Sequence, residues 1–153
     1  MRSNSLLRTL RHVTLVTSLA AFAVASVAAE YVSVKREAVN MRSGPGTNHA
    51  AMWRLPKDYP LRVQQHRGKW LKVIDVEKDS GWVYGPMTSK KPHHIVKSDI
   101  ANVRSGPGTR YHAVGQARFG EIVAPIAHSN GWVKVRRTEG PSGWISRKLL
   151  WGW

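Results

Sequence analysis

The chain is 153 residues long and holds 24 Lys and Arg against 9 Asp and Glu, with seven Trp and no Cys. Its length limits it to one or two domains, and the missing cysteine excludes a disulfide framework, a thiolate metal site and a cysteine nucleophile. A composition with 13 Gly and 8 Pro argues against a helical bundle, while a formal charge of +15 points to an anionic surface or polymer as partner.

Residues 1–29 contain no acidic residue. Arg2, Arg8 and Arg11 precede an apolar run from Val13 to about Ala25, which ends in Ser26-Val27-Ala28-Ala29. A positive front, a short apolar middle and small residues at the end describe a secretory signal peptide, with cleavage expected after Ala29 or Ala28. An uncleaved anchor is the alternative, although the apolar stretch is short for a spanning helix. Removal of this segment leaves 21 Lys and Arg against the same 9 acids, a charge of +12, on a periplasmic or secreted protein.

The remainder contains itself twice. Asn40-Met41-Arg42-Ser43-Gly44-Pro45-Gly46-Thr47 returns 62 positions later as Asn102-Val103-Arg104-Ser105-Gly106-Pro107-Gly108-Thr109. The same shift carries Trp70 to Trp132, Lys72 to Lys134, His66 to His128 and Gly81-Trp82 to Gly143-Trp144, without a gap. Two copies of one small domain are therefore expected, at 30–89 and 94–153, joined by a linker at 90–93 where Pro92 and paired Lys interrupt any strand.

Within each copy the pattern is β. Residues 31–34 and 95–96 open short strands. The Arg-Ser-Gly-Pro-Gly-Thr segment is a turn, its Gly expected to supply positive φ. Central strands are expected at 61–65 and 122–126, hairpin turns at 66–69 and 128–131, and return strands at 70–76 and 132–136. Gly81-Trp82-Val83 and Gly143-Trp144-Ile145 close the copies. Short strands at this spacing indicate a small barrel or sandwich, and at about 60 residues each copy is near the lower limit for an independent fold. In Trp132-Val133-Lys134-Val135-Arg136 the two Val share one face, leaving Trp132 with the cations on the other. Trp70 and Lys72 repeat this arrangement.

Three motifs in order, twice, carry a family resemblance: Asn-x-Arg-Ser-Gly-Pro-Gly-Thr, Trp-x-Lys-Val and Gly-Trp-[Val/Ile]. The chain resembles bacterial SH3 domains over 31 to about 89 and 94 to 153. The resemblance implies an all-β protein of two tandem small SH3-like barrels, each of five to seven strands, exported to the cell envelope. Members are often accessory modules of cell-wall hydrolases, and some bind peptidoglycan stem peptides or cross-bridges.

The residues favour binding over catalysis. No Gly-x-Ser-x-Gly, His-Glu-x-x-His, phosphate loop or dinucleotide fingerprint is present, so neither an enzyme nor a cofactor is expected. Asp75, Glu77 and Asp79 form the one acidic cluster and read as a solvated hairpin. His93-His94 is a poor chelating spacing on a strand, so no metal is expected. Arg42 and Arg104 either brace their own turns through backbone carbonyls or offer a fork to a ligand carboxylate or phosphate. Asn48-His49 and Arg110-Tyr111, just beyond the turn, differ between copies and suit a ligand-facing loop. Trp70 and Trp132 join them as candidates, whereas Trp82 and Trp144 are read as core. Trp53, paired in the repeat with Gly115, is a candidate filler of the junction between copies. The Trp151-Gly152-Trp153 tail either packs across the last barrel or meets a membrane interface.

The expected partner is peptidoglycan or another anionic envelope component. A regulatory role, docking on an acidic envelope protein or on anionic lipid, is the alternative. Export argues against nucleic acid, whose phosphates any basic chain neutralises unselectively.

Overall fold

The computed structural model describes residues 28–153, and the expected leader up to residue 27 lies outside them. Fourteen strands form two sheets of seven. The first contains β1 (Tyr31–Val34), β2 (Val39–Arg42), β3 (Ala51–Leu55), β4 (Pro60–Arg67), β5 (Trp70–Ile74), β6 (Ser80–Tyr84) and β7 (Thr88–Ser89). The second repeats it with β8 (His94–Val96), β9 (Ile100–Arg104), β10 (Ala113–Arg118), β11 (Ile122–Ser129), β12 (Trp132–Arg136), β13 (Gly143–Ser146) and β14 (Leu150–Gly152). Each copy takes a single 3₁₀ turn before its last strand, at Gly85–Met87 and Arg147–Leu149. Strand order is β3-β2-β6-β5-β4-β1-β7 in the first and β10-β9-β13-β12-β11-β8-β14 in the second, one topology used twice. The chain is all-β, two tandem SH3-like barrels.

Alternation explains what each sheet buries. Val32, Val34, Val39, Met41, Leu55, Leu61, Leu71, Val73 and Val83 fill the first barrel. Eight of these nine positions, shifted by 62, also belong to the second core, and the ninth differs: Val32 corresponds to His94, which is fully buried. The second core is built from smaller side chains, with Ala101 for Val39, Ala117 for Leu55 and Val103 for Met41, and Leu150 of β14 completes it.

Equivalent bulges bend equivalent strands. Gln64 in β4 and Ile126 in β11 are each skipped by the register of the partner strand, as are Met52 in β3 and Val114 in β10. A bulge turns the extra side chain out of the alternation and sharpens the local twist, which lets a short sheet curl around its core. Met52, Val114 and Ile126 are exposed for this reason.

Several expectations need correction. The return strand of the first copy stops at Ile74, because Asp75 accepts hydrogen bonds from the N–H groups of Glu77 (3.0 Å) and Asp79 (2.9 Å). Asp75 is therefore only 5% exposed rather than solvated. None of the Gly-Pro-Gly glycines has positive φ. Gly44 and Gly106 are required for space: a Cβ on Gly44 would lie 2.5 Å from the His49 ring, and one on Gly106 would lie 2.4 Å from that of Tyr111. Trp82 and Trp144 belong to neither core and stand half-exposed on the outer face, since Gly81 and Val83 take the inward positions of β6. Trp53 does not fill the junction; it lies 52% exposed on the edge strand β3.

The junction is made by other residues. The Tyr31 ring meets Trp151 edge-on with centroids 5.6 Å apart, and Trp153 at the same separation with a 35° tilt. The C-terminal tail thus packs as β14 against β8 and carries its indoles to the first barrel. His93, in the segment between β7 and β8, is buried, with Nδ1 3.2 Å from Ser33 Oγ and Nε2 3.5 Å from Asp58 Oδ1.

Candidate ligand-binding site

The outward face of β5 and β6 begins the site. Cross-strand pairing puts Trp70 opposite Tyr84, with ring centroids 5.4 Å apart at 58°. One step along, Trp82 stands between Lys72 on β5 and Arg42 on β2. The second barrel repeats this row as Lys134, Trp144 and Arg104. Each row places an indole between two cations on one solvent-facing surface. The close approach of the strands depends on the glycine before each Trp. A Cβ on Gly81 would lie 2.5 Å from Met41 Cγ, and one on Gly143 2.7 Å from the Arg104 carbonyl oxygen.

In the first barrel this face opens into a groove of about 1050 Å³. Trp70 and Tyr84 form its aromatic wall, Arg36, Arg42 and Asn48 supply polar edges, and Met87 adds an apolar one. The structure thereby brings three of the expected residues, Arg42, Asn48 and Trp70, to one concavity. His49 is not among the residues that line it; its ring covers Gly44. Arg42 also braces the turn, donating from Nη1 to the His49 carbonyl at 2.7 Å.

The second barrel is chemically different at the same place. Arg104 donates from Nη1 to the carbonyls of Thr109 (3.1 Å) and Tyr111 (2.8 Å). Arg110 lies over the Tyr111 ring, its guanidinium carbon 5.2 Å from the centroid, and donates to its hydroxyl at 3.3 Å. Trp132 has Ser146, not a Tyr, as its cross-strand partner. It lines a smaller concavity of about 390 Å³ with His128, Arg147 and Trp153, apart from Arg104, Arg110 and Tyr111.

Sequence reasoning missed Tyr84, Trp82 and Trp144 as surface residues. Alternation from Gly81 and Val83 was the signal, because it sends positions 82 and 84 to the side that Trp70 occupies.

Among carboxylates, Asp75, Glu77 and Asp79 bring oxygens within 4.8 Å of one another, the donor type that a hard cation takes. Burial raises the Asp75 carboxyl above its ordinary range despite the backbone donors aimed at it. The Glu30 carboxyl is held below its ordinary range by hydrogen bonds from Lys90 and His66.

Two family models, each described as a bacterial SH3 domain, match residues 35–90 and 99–150. The chain belongs to the bacterial SH3 domain family, in two copies. A putative N-acetylmuramoyl-L-alanine amidase, YrvJ of Bacillus subtilis strain 168, is 24% identical over 128 residues. The alignment takes in 76% of this chain but 24% of the amidase, so these SH3 domains span about a quarter of that relative. Among solved structures, NlpC2 from Trichomonas vaginalis is 13% identical at a TM-score of 0.37, over 80% of this chain and 48% of that one. An NlpC/P60 family protein from Bacillus cereus is 11% identical at 0.38, over 81% and 56%.

Proposed function

We propose that this protein is an exported, non-enzymatic binding module of the bacterial envelope, and that its ligand is peptidoglycan. The observation that carries this reading is the groove of the first barrel, where the Trp70 and Tyr84 rings stand beside Arg42, Arg36 and Asn48. Sugar and peptide faces stack on such rings, and stem-peptide carboxylates suit guanidinium donors. The relationship to an amidase directed at N-acetylmuramoyl-L-alanine supports the choice of polymer. The Asp75 carboxylate is turned toward its own loop backbone, which suits a structural role better than a catalytic one. The leader expected at residues 1–29 supports export. Among the described residues no helix is long and apolar enough to cross a membrane.

Purified protein is expected to pellet with insoluble peptidoglycan at low salt. Trp70→Ala is expected to weaken that binding about tenfold, as the loss of a central aromatic anchor does. Recovery of all the protein in the supernatant, or unchanged pelleting of the Trp70 variant, overturns this assignment of the site.

A further inference from the structure

A further concavity, of about 550 Å³, lies between the barrels. Its walls include Lys57 and Asp58 from the β3–β4 turn, His93, Glu121 from the β10–β11 turn, Arg136 at the end of β12 and Glu139 of the following loop. Its charge sets it apart. In a chain with 24 Lys and Arg and nine acids, three of the nine, Asp58, Glu121 and Glu139, line this one cleft.

The charges are not all spent on one another. Glu121 accepts from Arg137 Nε at 2.5 Å and Nη2 at 3.0 Å, and Arg137 also donates to the Gln116 carbonyl, so this pair is closed. Among the described residues Lys57, Arg136 and Glu139 have no ion-pair partner. Asp58 faces His93, whose burial lowers the imidazole below the ordinary histidine range and so disfavours its charged form. Two cations and two carboxylates thus stay available around a polar cleft at a domain boundary, a common location for small-ligand sites.

We propose that the inter-barrel cleft is a binding site for a dipolar amino-acid end, its ammonium taken by Asp58 and Glu139 and its carboxylate by Lys57 and Arg136. A simple anion would meet the carboxylates as repulsion, and a simple cation would meet Lys57 and Arg136 in the same way. Only a ligand with both signs a few bonds apart matches the whole lining. The inference extends the envelope reading from the acidic groups of wall peptide to its free amino groups, and rests on that reading only for the source of the ligand.

The test is a chemical-shift titration of the purified protein with three compounds: 2,6-diaminopimelate, pimelate (the same chain without amines) and 1,5-diaminopentane (without carboxylates). Diaminopimelate is expected to move the amides of residues 57–58, 93, 120–121 and 136–139 saturably, with each truncated compound at least about tenfold weaker. Asp58→Asn and Arg136→Gln, both at the cleft edge, are expected to weaken diaminopimelate binding about fivefold while keeping a dispersed spectrum. Equal binding of pimelate, or cleft amides that stay still, overturns the proposal. The Trp70 indole and the pelleting assay report the groove separately. Failure at the cleft with pelleting intact thus differs from failure of the envelope reading itself.

Discussion

His94 is the residue whose surroundings depart furthest from its chemistry. It occupies in the second barrel the place of Val32 in the first, fully buried, with neither ring nitrogen hydrogen-bonded. Burial foremost, then the Arg147 and His128 charges, pushes its imidazole down from 6.5 to about 4. The folded state therefore refuses a proton that the unfolded chain accepts. The sign follows: stability is full above about pH 6.5 and falls as pH drops toward 4, by up to about 3 kcal/mol. His94→Leu, which removes two orphaned polar atoms at similar volume, is expected to stabilise the second barrel by about 1–3 kcal/mol at pH 7. It is also expected to flatten the acid limb, as read from urea unfolding at pH 7 and pH 5. Position 94 lies one residue before the strand expected at 95–96, and it was not legible as core. Alternation names an inward position, yet nothing local says that a polar ring will be sealed there without a partner.

Glycine and bulges shape the strands more than turn chemistry does. Gly81 and Gly143 let β6 and β13 come against β2 and β9, where a methyl group would strike Met41 in one barrel and the Arg104 carbonyl in the other. Gly81→Ala is expected to cost about 1–3 kcal/mol by overpacking. Urea unfolding followed by tryptophan fluorescence checks this, and an unchanged midpoint would refute the packing argument. β1, β4, β5, β6 and their counterparts in the second copy were legible from alternation and repeat, and the Asn130-Gly131 turn from its dipeptide, whereas β2, β3, β7 and their counterparts were not. The bulges at Met52, Gln64, Val114 and Ile126 were not, because a bulge appears only when a partner strand sets the register. The same cause hid the exposure of Met52, Val114 and Ile126.

At the level of the whole molecule, two domains of about 60 residues are each marginal, and the contacts between them carry weight. Tyr31 holds both tail indoles, and Ser33, Asp58 and His93 converge beneath the cleft. Two aromatic pairs are worth about 1–3 kcal/mol together. Tyr31→Ala is therefore expected to lower stability by that amount and to split one calorimetric transition into two, with the barrels unfolding in turn. A single, unshifted transition would show that the barrels are coupled by other means. The proposed cleft site depends on this junction, so the variant is also expected to lose the cleft response to diaminopimelate while the Trp70 groove keeps its own.

The sequence by itself determined the duplication, the all-β character, the position of eight of the fourteen strands and the cationic outer face. These follow from short-range periodicity and from motifs that repeat at one spacing. Tertiary structure decided which barrel opens the wider groove, the one where Tyr84 stands opposite Trp70, whereas Ser146 stands opposite Trp132. It alone decided that Tyr31, and not Trp53, fills the junction, and that a third of the acids gather between the barrels. Both outcomes depend on side chains from strands distant along the chain meeting in space, which no local pattern records.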